Sequence, residues 1–411
     1  MRGPGTDDRG HVTPINTAHV YKGGVNAGTL TRRPDGVIFE YIPGYAGPAV
    51  ASTLPVDAAP RLTAAGAVPP FFAGLLPEGR RLTALRQAVK TSADDELSLL
   101  AAVGDDTVGD VQVTAGGRPQ ASVETELPGA LNEISFERLL AGVGMARPTL
   151  AGVQDKISAT MISLLVRRRH QRFILQLNPP ENPHLVENEH FFTTVARDCG
   201  IPVSPVELVH DMNGERGLLV TRFDRVSIQG VPLSLAVEDA CQALDLWPAD
   251  KYNTTMEEAA ASLSRLCLSP VVAARDIVRQ VAFAWLTGNG DQHAKNLSVL
   301  GRTDSGYGIS PAYDLPSTLF YDDTSMALTV GGRDTLTARR LEEFGLSLGI
   351  PTKGVARALA PVLKGTAGLV DRLAAAGLPF DRRTMDKVAR RLAIRRREFE
   401  RSPAASATVI A

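Results

Sequence analysis

The stretch Gly288-Asn289-Gly290-Asp291-Gln292-His293-Ala294-Lys295-Asn296-Leu297-Ser298-Val299 decides how the rest of the chain is interpreted. It follows an apolar run, Ile277 to Leu286, with the composition of a buried helix, and it leaves that run on two glycines. It then presents a carboxylate, Asp291, and five residues later a carboxamide, Asn296, before a short β-type run. The pattern predicts a polar loop that leads from a buried helix into a strand.

The Asp-x-x-x-x-Asn spacing in such a loop is typical of phosphoryl-transfer enzymes. There the aspartate takes or orients the proton of the attacking hydroxyl, and the asparagine oxygen binds magnesium. A second carboxylate, Asp314, lies where a β-turn-β unit would return it to the loop, which is the position of a metal-holding aspartate. The sequence therefore predicts catalytic roles for Asp291, Asn296 and Asp314, with Asn296 and Asp314 as metal ligands. The alternative is a solvated polar turn without chemistry.

Composition narrows the class of protein. The 411 residues suffice for two or three domains, and 44% hydrophobic with 22% charged residues is usual for a globular chain. Lysine and arginine number 44 against 45 acidic residues, so no net charge favours nucleic acid or a membrane surface. The three cysteines are widely spaced and fit neither a disulfide framework nor a metal site. No apolar run reaches the roughly 18 residues of a membrane span. We therefore expect a cytoplasmic protein without membrane contact.

Hydrophobic patterning divides the chain into an N-terminal α+β module, from His11 to about Val113, and a longer remainder. An amphipathic helix is predicted from Ala130, and two strand pairs follow it. Two or three helices are predicted in the segment from Val237 to Leu286, and further helices follow Asp314. The predicted strands, helices and flexible ends are listed here: Ile157–Val166, Phe173–Leu177, Val206–Val209, Gly217–Thr221, a last helix Arg383–Glu400, and ends 1–10 and 401–411.

A loop with one glycine and one lysine, Gly152 to Lys156, precedes the first strand of these pairs. Backbone N–H groups and one ammonium in such a loop can bind phosphates. As an isolated motif, however, it is also compatible with a plain turn.

Taken together, the sequence resembles the HipA family of bacterial serine/threonine protein kinases, toxins of toxin–antitoxin pairs, from about Val20 to Leu392. The phrases that carry the resemblance occur in the family's order: Tyr45–Ala49, Phe71–Gly79, Leu150–Lys156, Arg222–Arg225, Glu238–Gln242, Lys251-Tyr252, the Asp291 loop and Pro311–Asp314. The resemblance implies an α+β, bilobal protein-kinase-like fold. The implied divisions are an N-terminal HipA-type subdomain (11–118), a kinase N-lobe-like region with the phosphate loop (119–235) and a helical C-lobe with the catalytic loop (236–400).

The resemblance also implies ATP and Mg²⁺ as cofactors and assigns further residues. Gly152 and Lys156 would contact the phosphates. Thr221 to Phe223 would connect the lobes where backbone groups meet adenine, with Asp224 nearby. His293 would brace the loop, and Lys295 would contact the γ-phosphate. Thr149 falls where family members carry the autophosphorylated hydroxyl, although a local backbone hydrogen bond also explains a threonine there.

One residue departs from the family pattern. The strand that should supply a lysine to the α- and β-phosphates reads Phe173-Ile174-Leu175-Gln176-Leu177, so Gln176 takes the place of the ammonium. A carboxamide can donate a hydrogen bond to phosphate but adds no charge. Glu189, on the helix that would face this strand, then lacks its expected ion-pair partner. Either Lys156 substitutes, or transfer is slow, or the chain binds nucleotide with little catalysis.

Three functions follow as hypotheses. The first is a kinase that phosphorylates a protein serine or threonine, with autophosphorylation for regulation and a HipB-like helix-turn-helix antitoxin for restraint. DNA would be contacted only through that partner, because no helix-turn-helix pattern stands out in this chain. The second is a nucleotide-binding pseudokinase that acts as an antitoxin partner or co-repressor. The third is a small-molecule kinase, which the N-terminal module disfavours.

Overall fold

The computed structural model describes residues 15–64, 66–92, 94–119, 125–142, 161–168, 171–302 and 306–400. The predicted phosphate loop with Thr149, Gly152 and Lys156 lies outside these ranges, as do both predicted flexible ends. The described chain forms three units, each with its own hydrophobic core.

The N-terminal unit is an antiparallel five-stranded sheet in the order β4-β3-β2-β1-β5. Alternating apolar residues such as Val20, Leu30 and Phe39 turn one face of the sheet towards a core that includes Phe72 and Leu100 on the helices. The elements of this unit are β1 Thr17–Lys22, β2 Val25–Arg33, β3 Gly36–Tyr41, β4 Arg61–Ala64, α1 Pro70–Ala73, α2 Gly79–Val89, α3 Glu96–Val103 and β5 Val111–Thr114.

The middle unit is a second five-stranded sheet in the order β6-β7-β8-β10-β9, antiparallel except for the β6–β7 pair. One face packs Leu164, Leu175 and Leu219 against Phe136 and Leu140. Its elements are β6 Thr125–Glu126, α4 Phe136–Gly142, β7 Ile162–Arg168, β8 Gln171–Leu177, α5 Leu185–Asp198, β9 Val206–His210 and β10 Arg216–Thr221.

The third unit is mostly helical. It contains a two-stranded hairpin, a small sheet in the order β13-β14-β15, and helices that surround a buried central helix, α8. Its elements are β11 Arg225–Ile228, β12 Val231–Ser234, β13 Val237–Asp239, α6 Ala240–Ala243, α7 Met256–Leu266, α8 Pro270–Thr287, β14 Ser298–Arg302, β15 Gly306–Ile309, α9 Ala338–Ser347, α10 Thr352–Gly365, α11 Leu369–Ala375 and α12 Arg382–Glu400.

Local chemistry sets the ends of helix α8. Pro270 occupies its first turn, where a missing N–H is tolerated. Gly288 ends it in the left-handed region at φ 78°, and its N–H donates to the Trp285 carbonyl 3.2 Å away. The helix therefore stops where the polar loop begins.

The α+β prediction is confirmed, and two local predictions are corrected. Helix α4 begins at Phe136, not Ala130, because the Asp211 carboxylate accepts the Phe136 N–H at 3.0 Å and fixes the first turn there. The segment from Val237 to Asp239 is a strand because it pairs with β14. The hairpin β11–β12 was not predicted. No helix among the described residues has the length and apolar character that a membrane crossing needs.

Candidate active site

Two asparagine side chains hold the loop after α8 in shape. The Asn289 Oδ1 atom accepts the Asp291 N–H at 2.9 Å, and its Nδ2 donates to the Asp314 carbonyl at 3.1 Å. The Asn296 Nδ2 donates to the Asp291 carbonyl at 2.9 Å. The loop is therefore tied both to itself and to the segment that carries Asp314.

Asp291, Asn296 and Asp314 meet, as the loop-strand-turn-strand pattern predicts. Strand β14 leaves the loop and β15 returns antiparallel to it, which carries the chain back to Asp314. The Asn296 side chain hydrogen-bonds the Asp314 carboxylate, and the charge of Asp291 acts on Asp314. The Asp291 carboxylate accepts a hydrogen bond from the Tyr252 hydroxyl at 2.9 Å. The three side chains thus form one cluster.

Several buried carboxyl groups lie close together in this cluster. Burial and then the charge of Asp291 raise the pKa of Asp314 to about 6, although the Asn296 hydrogen bond lowers it. Burial and then Asp314 raise the pKa of the neighbouring Glu189 carboxyl, whose Oε2 has no hydrogen-bond partner within the described ranges. A bound cation would relieve both the repulsion and the buried, unpartnered oxygen.

The oxygen atoms of Asn296 and Asp314 suit magnesium better than they suit a metal ion that protein side chains coordinate completely. The described part of the chain contains no group of three His, Cys, Asp or Glu side chains arranged to hold a metal. Magnesium commonly takes only one or two protein oxygens and fills its remaining positions with water and substrate phosphates. Asn296 and Asp314 could supply those two oxygens.

A cavity of about 300 Å³ lies beside this cluster, where the three units meet. Side chains of all three units line it. The lining residues are Gly74, Leu75, Leu76, Pro77, Glu78, Arg81, Val103, Asp106, Thr107, Val108, Leu165, Ile174, Arg222, Lys251, His293, Lys295, Asn296, Tyr313 and Asp314. The N-terminal unit therefore forms one wall of the site.

Gln176 lies on the side of the middle sheet that faces the cavity. It is two residues from Ile174 on β8, so both side chains leave the same face, and Ile174 lines the cavity. The buried Gln176 Oε1 has no hydrogen-bond partner among the described residues. The position expected to hold a lysine therefore faces the site with a neutral, unsatisfied group.

Glu78 of the N-terminal unit joins two lysines of the helical unit. Its carboxylate lies 2.6 Å from the Lys251 Nζ and 3.1 Å from the Lys295 Nζ. Burial would raise the pKa of Glu78, but the two ammonium groups bring it down to about 2. Lys295 also donates to the Gly74 carbonyl at 3.1 Å and pairs with Asp239 at 3.5 Å. These three partners match the three N–H donors of the Lys295 ammonium group. Lys295 could therefore contact a γ-phosphate only if it released one of these partners.

Arg222 and Arg225 form a buried group of ion pairs. This group holds the N-terminal unit against the part of the chain that follows strand β10. Arg222 lies 3.0 Å from Asp106 and 2.9 Å from Asp224, and it donates to the Thr107 carbonyl at 2.9 Å. Arg225 pairs with the same two carboxylates at 2.8 and 2.7 Å. Asp224 also accepts the N–H of Gly109 at 2.9 Å. The Asp224 carboxylate is engaged by these ion pairs and is not among the residues that line the cavity, and its expected place near the nucleotide stays a prediction.

The connection from the middle sheet to the helical unit runs through Thr221 and Phe223. The Thr221 N–H donates to the Pro205 carbonyl at 2.9 Å, so a backbone contact between Thr221 and adenine would use its carbonyl oxygen. The Phe223 ring packs against Tyr313, which lines the cavity, with ring centroids 5.7 Å apart. Phe223 therefore lies at the edge of the predicted nucleotide site.

His293 braces the loop through its backbone. Its N–H donates to the Asp291 carbonyl and its carbonyl accepts the Asn296 N–H, both at 2.9 Å. The ring packs edge-on against Tyr252 with centroids 5.1 Å apart. Burial lowers the pKa of His293 to about 4, so the imidazole is neutral at pH 7.

Substitution of Gly290 by alanine should damage this site without unfolding the chain. A Cβ there would lie 2.5 Å from the Ser325 carbonyl oxygen and 2.6 Å from the Thr318 Oγ1, so the loop must shift. We expect a loss of about 1–3 kcal/mol in the free energy of unfolding and a larger fractional loss of any activity that needs Asp291. Urea unfolding and an activity assay measure the two effects. Gly116→Ala is the control, because nothing lies within 4 Å of its added Cβ, and an equal effect of both changes would contradict the prediction.

Sequence reasoning gave no role to Glu78, Lys251, Tyr252 or Arg81. The first three lie within sequence segments that carry the family resemblance, and this location is the signal that could have identified them. Their contacts join residues far apart along the chain; Lys251 and Glu78, for example, are 173 positions apart.

A two-lobed arrangement in which a loop with an aspartate and an asparagine meets a second aspartate, beside a cavity against a β-sheet, is typical of the kinase-like class. Comparison with known proteins agrees with this class. Residues 148–368 match the family described as HipA-like C-terminal domain, and residues 18–114 match the HipA N-terminal domain. The chain belongs to the HipA family.

Named relatives and a solved structure are similar to this chain. The Sinorhizobium fredii protein named "Putative kinase Y4mE" is 32% identical over 330 residues, covering 74% of this chain and 78% of that protein. The serine/threonine-protein kinase toxin HipA of Shewanella oneidensis is 29% identical over 314 residues, covering 68% and 71%. The solved complex of Shewanella oneidensis HipA, HipB and operator DNA contains a chain with TM-score 0.74 and 23% identity, covering 96% and 99%. This last likeness supports the fold.

Proposed function

We propose that this chain is an ATP-dependent serine/threonine protein kinase toxin that uses magnesium. The observation that carries the proposal is the meeting of Asp291, Asn296 and Asp314 beside a cavity that the middle sheet and the N-terminal unit enclose. Membership of a family with a named serine/threonine kinase toxin supports it further.

In the proposed reaction, a substrate hydroxyl approaches Asp291, whose carboxylate accepts its hydrogen bond and then its proton. The new bond forms between that hydroxyl oxygen and the γ-phosphorus while the bond from the γ-phosphorus to the β,γ-bridging oxygen breaks, and ADP leaves. The Tyr252 hydroxyl and the Asn289 and Asn296 carboxamides keep Asp291 in place. Positioning of this kind is a major part of catalysis of phosphoryl transfer.

Magnesium, when bound, would neutralise charge on the nucleotide phosphates. Asn296 and Asp314 would hold it. The raised pKa of Asp314 supports this role, because a carboxylate crowded by other acidic groups is stabilised by a cation.

Regulation is proposed to follow the family pattern. Thr149 would be autophosphorylated and, with Gly152 and Lys156, would belong to the phosphate loop; these residues lie outside the described ranges. A HipB-like helix-turn-helix antitoxin would restrain the kinase and contact DNA. The Shewanella oneidensis complex of HipA, HipB and operator DNA supports such a partner.

Labelled ATP tests the proposal. Purified chain is incubated with γ-labelled ATP and magnesium, with and without a bacterial lysate, and the phosphorylated residues are mapped by mass spectrometry. The proposal expects phosphate on Thr149 and on serine or threonine of at least one other protein. ATP binding without transfer would favour the pseudokinase, which the neutral Gln176 supports. Transfer of phosphate to a small alcohol or an antibiotic, without transfer to protein, would contradict both the protein-kinase proposal and the pseudokinase alternative.

Replacing Gln176 with lysine should raise the transfer rate. An ammonium there would face the cavity, and Glu189, the partner that the family pattern gives to this lysine, has an Oε2 atom without a partner among the described residues. We expect an increase on the order of tenfold, the size of one charge-assisted hydrogen bond to phosphate. Gln176→Met is the control, because it keeps the size without the charge. An unchanged rate in Gln176→Lys would mean that another cation already serves the phosphates.

A further inference from the structure

The cationic side chains that line the cavity differ in whether an acidic group neutralises them. Arg222 is paired with Asp106 and Asp224. Lys251 is paired with Glu78 at 2.6 Å, and Lys295 with Glu78 and Asp239 at 3.1 and 3.5 Å. These three charges are therefore already used in holding the units together.

Arg81, in the first turn of α2, is the exception within the described ranges. It lines the cavity and is half-buried, yet its guanidinium has no ion pair or hydrogen bond with the described residues. Its neighbour Arg80 differs, since it forms an ion pair with Glu181. Burial, and then the positive charge of Arg222, lower the pKa of Arg81, although the charge of Asp106, which also lines the cavity, raises it. An anion bound beside Arg81 would offset the cost of burying this cation.

Arg81 could supply the positive charge that is missing where Gln176 replaces the lysine of the family pattern. The middle sheet faces the cavity with a carboxamide where a lysine was expected, and the N-terminal unit faces the same cavity with a guanidinium that has no ion-pair partner among the described residues. Because a guanidinium presents several N–H donors in one plane, it can bind phosphate oxygens in pairs.

We propose that Arg81 is a phosphate-binding residue of the nucleotide site, so that the N-terminal unit supplies the charge that strand β8 lacks. This inference rests on the proposed function, because it takes the ligand to be a nucleoside triphosphate. It makes the N-terminal unit part of the active site.

Nucleotide affinity tests this inference. The dephosphorylated full chain is titrated, with magnesium present, with adenylyl imidodiphosphate (a non-hydrolysable ATP analogue) and separately with adenosine. We expect Arg81→Ala to weaken binding of the analogue on the order of tenfold to a hundredfold, the effect of one charged hydrogen-bonding group. Adenosine affinity should stay within about twofold, since adenosine has no phosphate. Arg80→Ala, on the same helix, is the matched control and should leave both affinities unchanged.

A rescue experiment separates charge from structure. Gln176→Lys, added to Arg81→Ala, should restore most of the affinity for the analogue, because a cation then faces the phosphates from the sheet. Equal binding of the analogue by the parent and Arg81→Ala chains would overturn the inference but leave the proposed function standing. Equal losses for adenosine and the analogue would also overturn it. Failure of the parent chain to bind the analogue would overturn the proposed function, and this inference with it.

Discussion

Asp291→Ala should reduce phosphate transfer by about 10² to 10⁴-fold, the usual contribution of a positioned acid–base group. The Asp291 carboxylate is the proposed acceptor of the substrate's proton, whereas the buried His293 ring packs edge-on against Tyr252. ATP affinity should change little, because Asn296 and Asp314 remain. The initial rate of transfer from labelled ATP measures the first effect, and calorimetric titration measures the second.

Asp386→Ala is the control for this change. Asp386 is an exposed aspartate on α12, and its removal should leave both rate and affinity unaltered. A rate for Asp291→Ala within a factor of about three of the parent rate would contradict the assignment. A matched loss of rate and nucleotide affinity would instead indicate that the loop had collapsed.

Arg222→Ala should destabilise the chain by about 3–5 kcal/mol, the usual effect of breaking a buried ion-pair group from one side. The side chain is only 3% exposed and contacts Asp106, Asp224 and the Thr107 carbonyl. Its removal leaves Arg225 as the arginine that pairs with both carboxylates. Urea unfolding, followed by the fluorescence of the two tryptophans, measures the loss.

An exposed ion pair provides the comparison. The Arg339 side chain is 85% exposed and pairs with Glu343 one helical turn away, so Arg339→Ala should cost about 0.5 kcal/mol or less. Similar losses for both substitutions would mean that the Arg222 group contributes no more than a surface contact. The anchor between the N-terminal and middle units would then lie elsewhere.

The parts of the site that are local in sequence could be predicted from it. The glycine break after α8 and the short return from β14 to β15 place Asp314 beside Asp291, because an antiparallel pair reverses the chain within a few residues. The alternation along β8 likewise puts Gln176 on one face with Ile174. The family resemblance, carried by several phrases in order, is confirmed by the matches to both HipA domains.

Contacts between distant segments could not be predicted. No local pattern indicates that Glu78 meets Lys251 and Lys295, or that Asp224 accepts the N–H of Gly109, because each contact depends on how distant parts of the chain pack together. The family resemblance placed Lys295 and Asp224 at the nucleotide. The structure pairs both with other groups, and their roles at the nucleotide stay predictions. The domain boundaries and the roles of Thr149, Gly152 and Lys156 stay predictions.

A crystal structure of the full chain with magnesium and adenylyl imidodiphosphate tests the assignment of the three oxygen-bearing side chains most directly. We predict one magnesium ion about 2.1 Å from oxygens of Asn296 and Asp314, with the nucleotide phosphates in the cavity and the γ-phosphate facing Asp291. A nucleotide bound elsewhere, or a metal ion that touches neither Asn296 nor Asp314, would contradict the account.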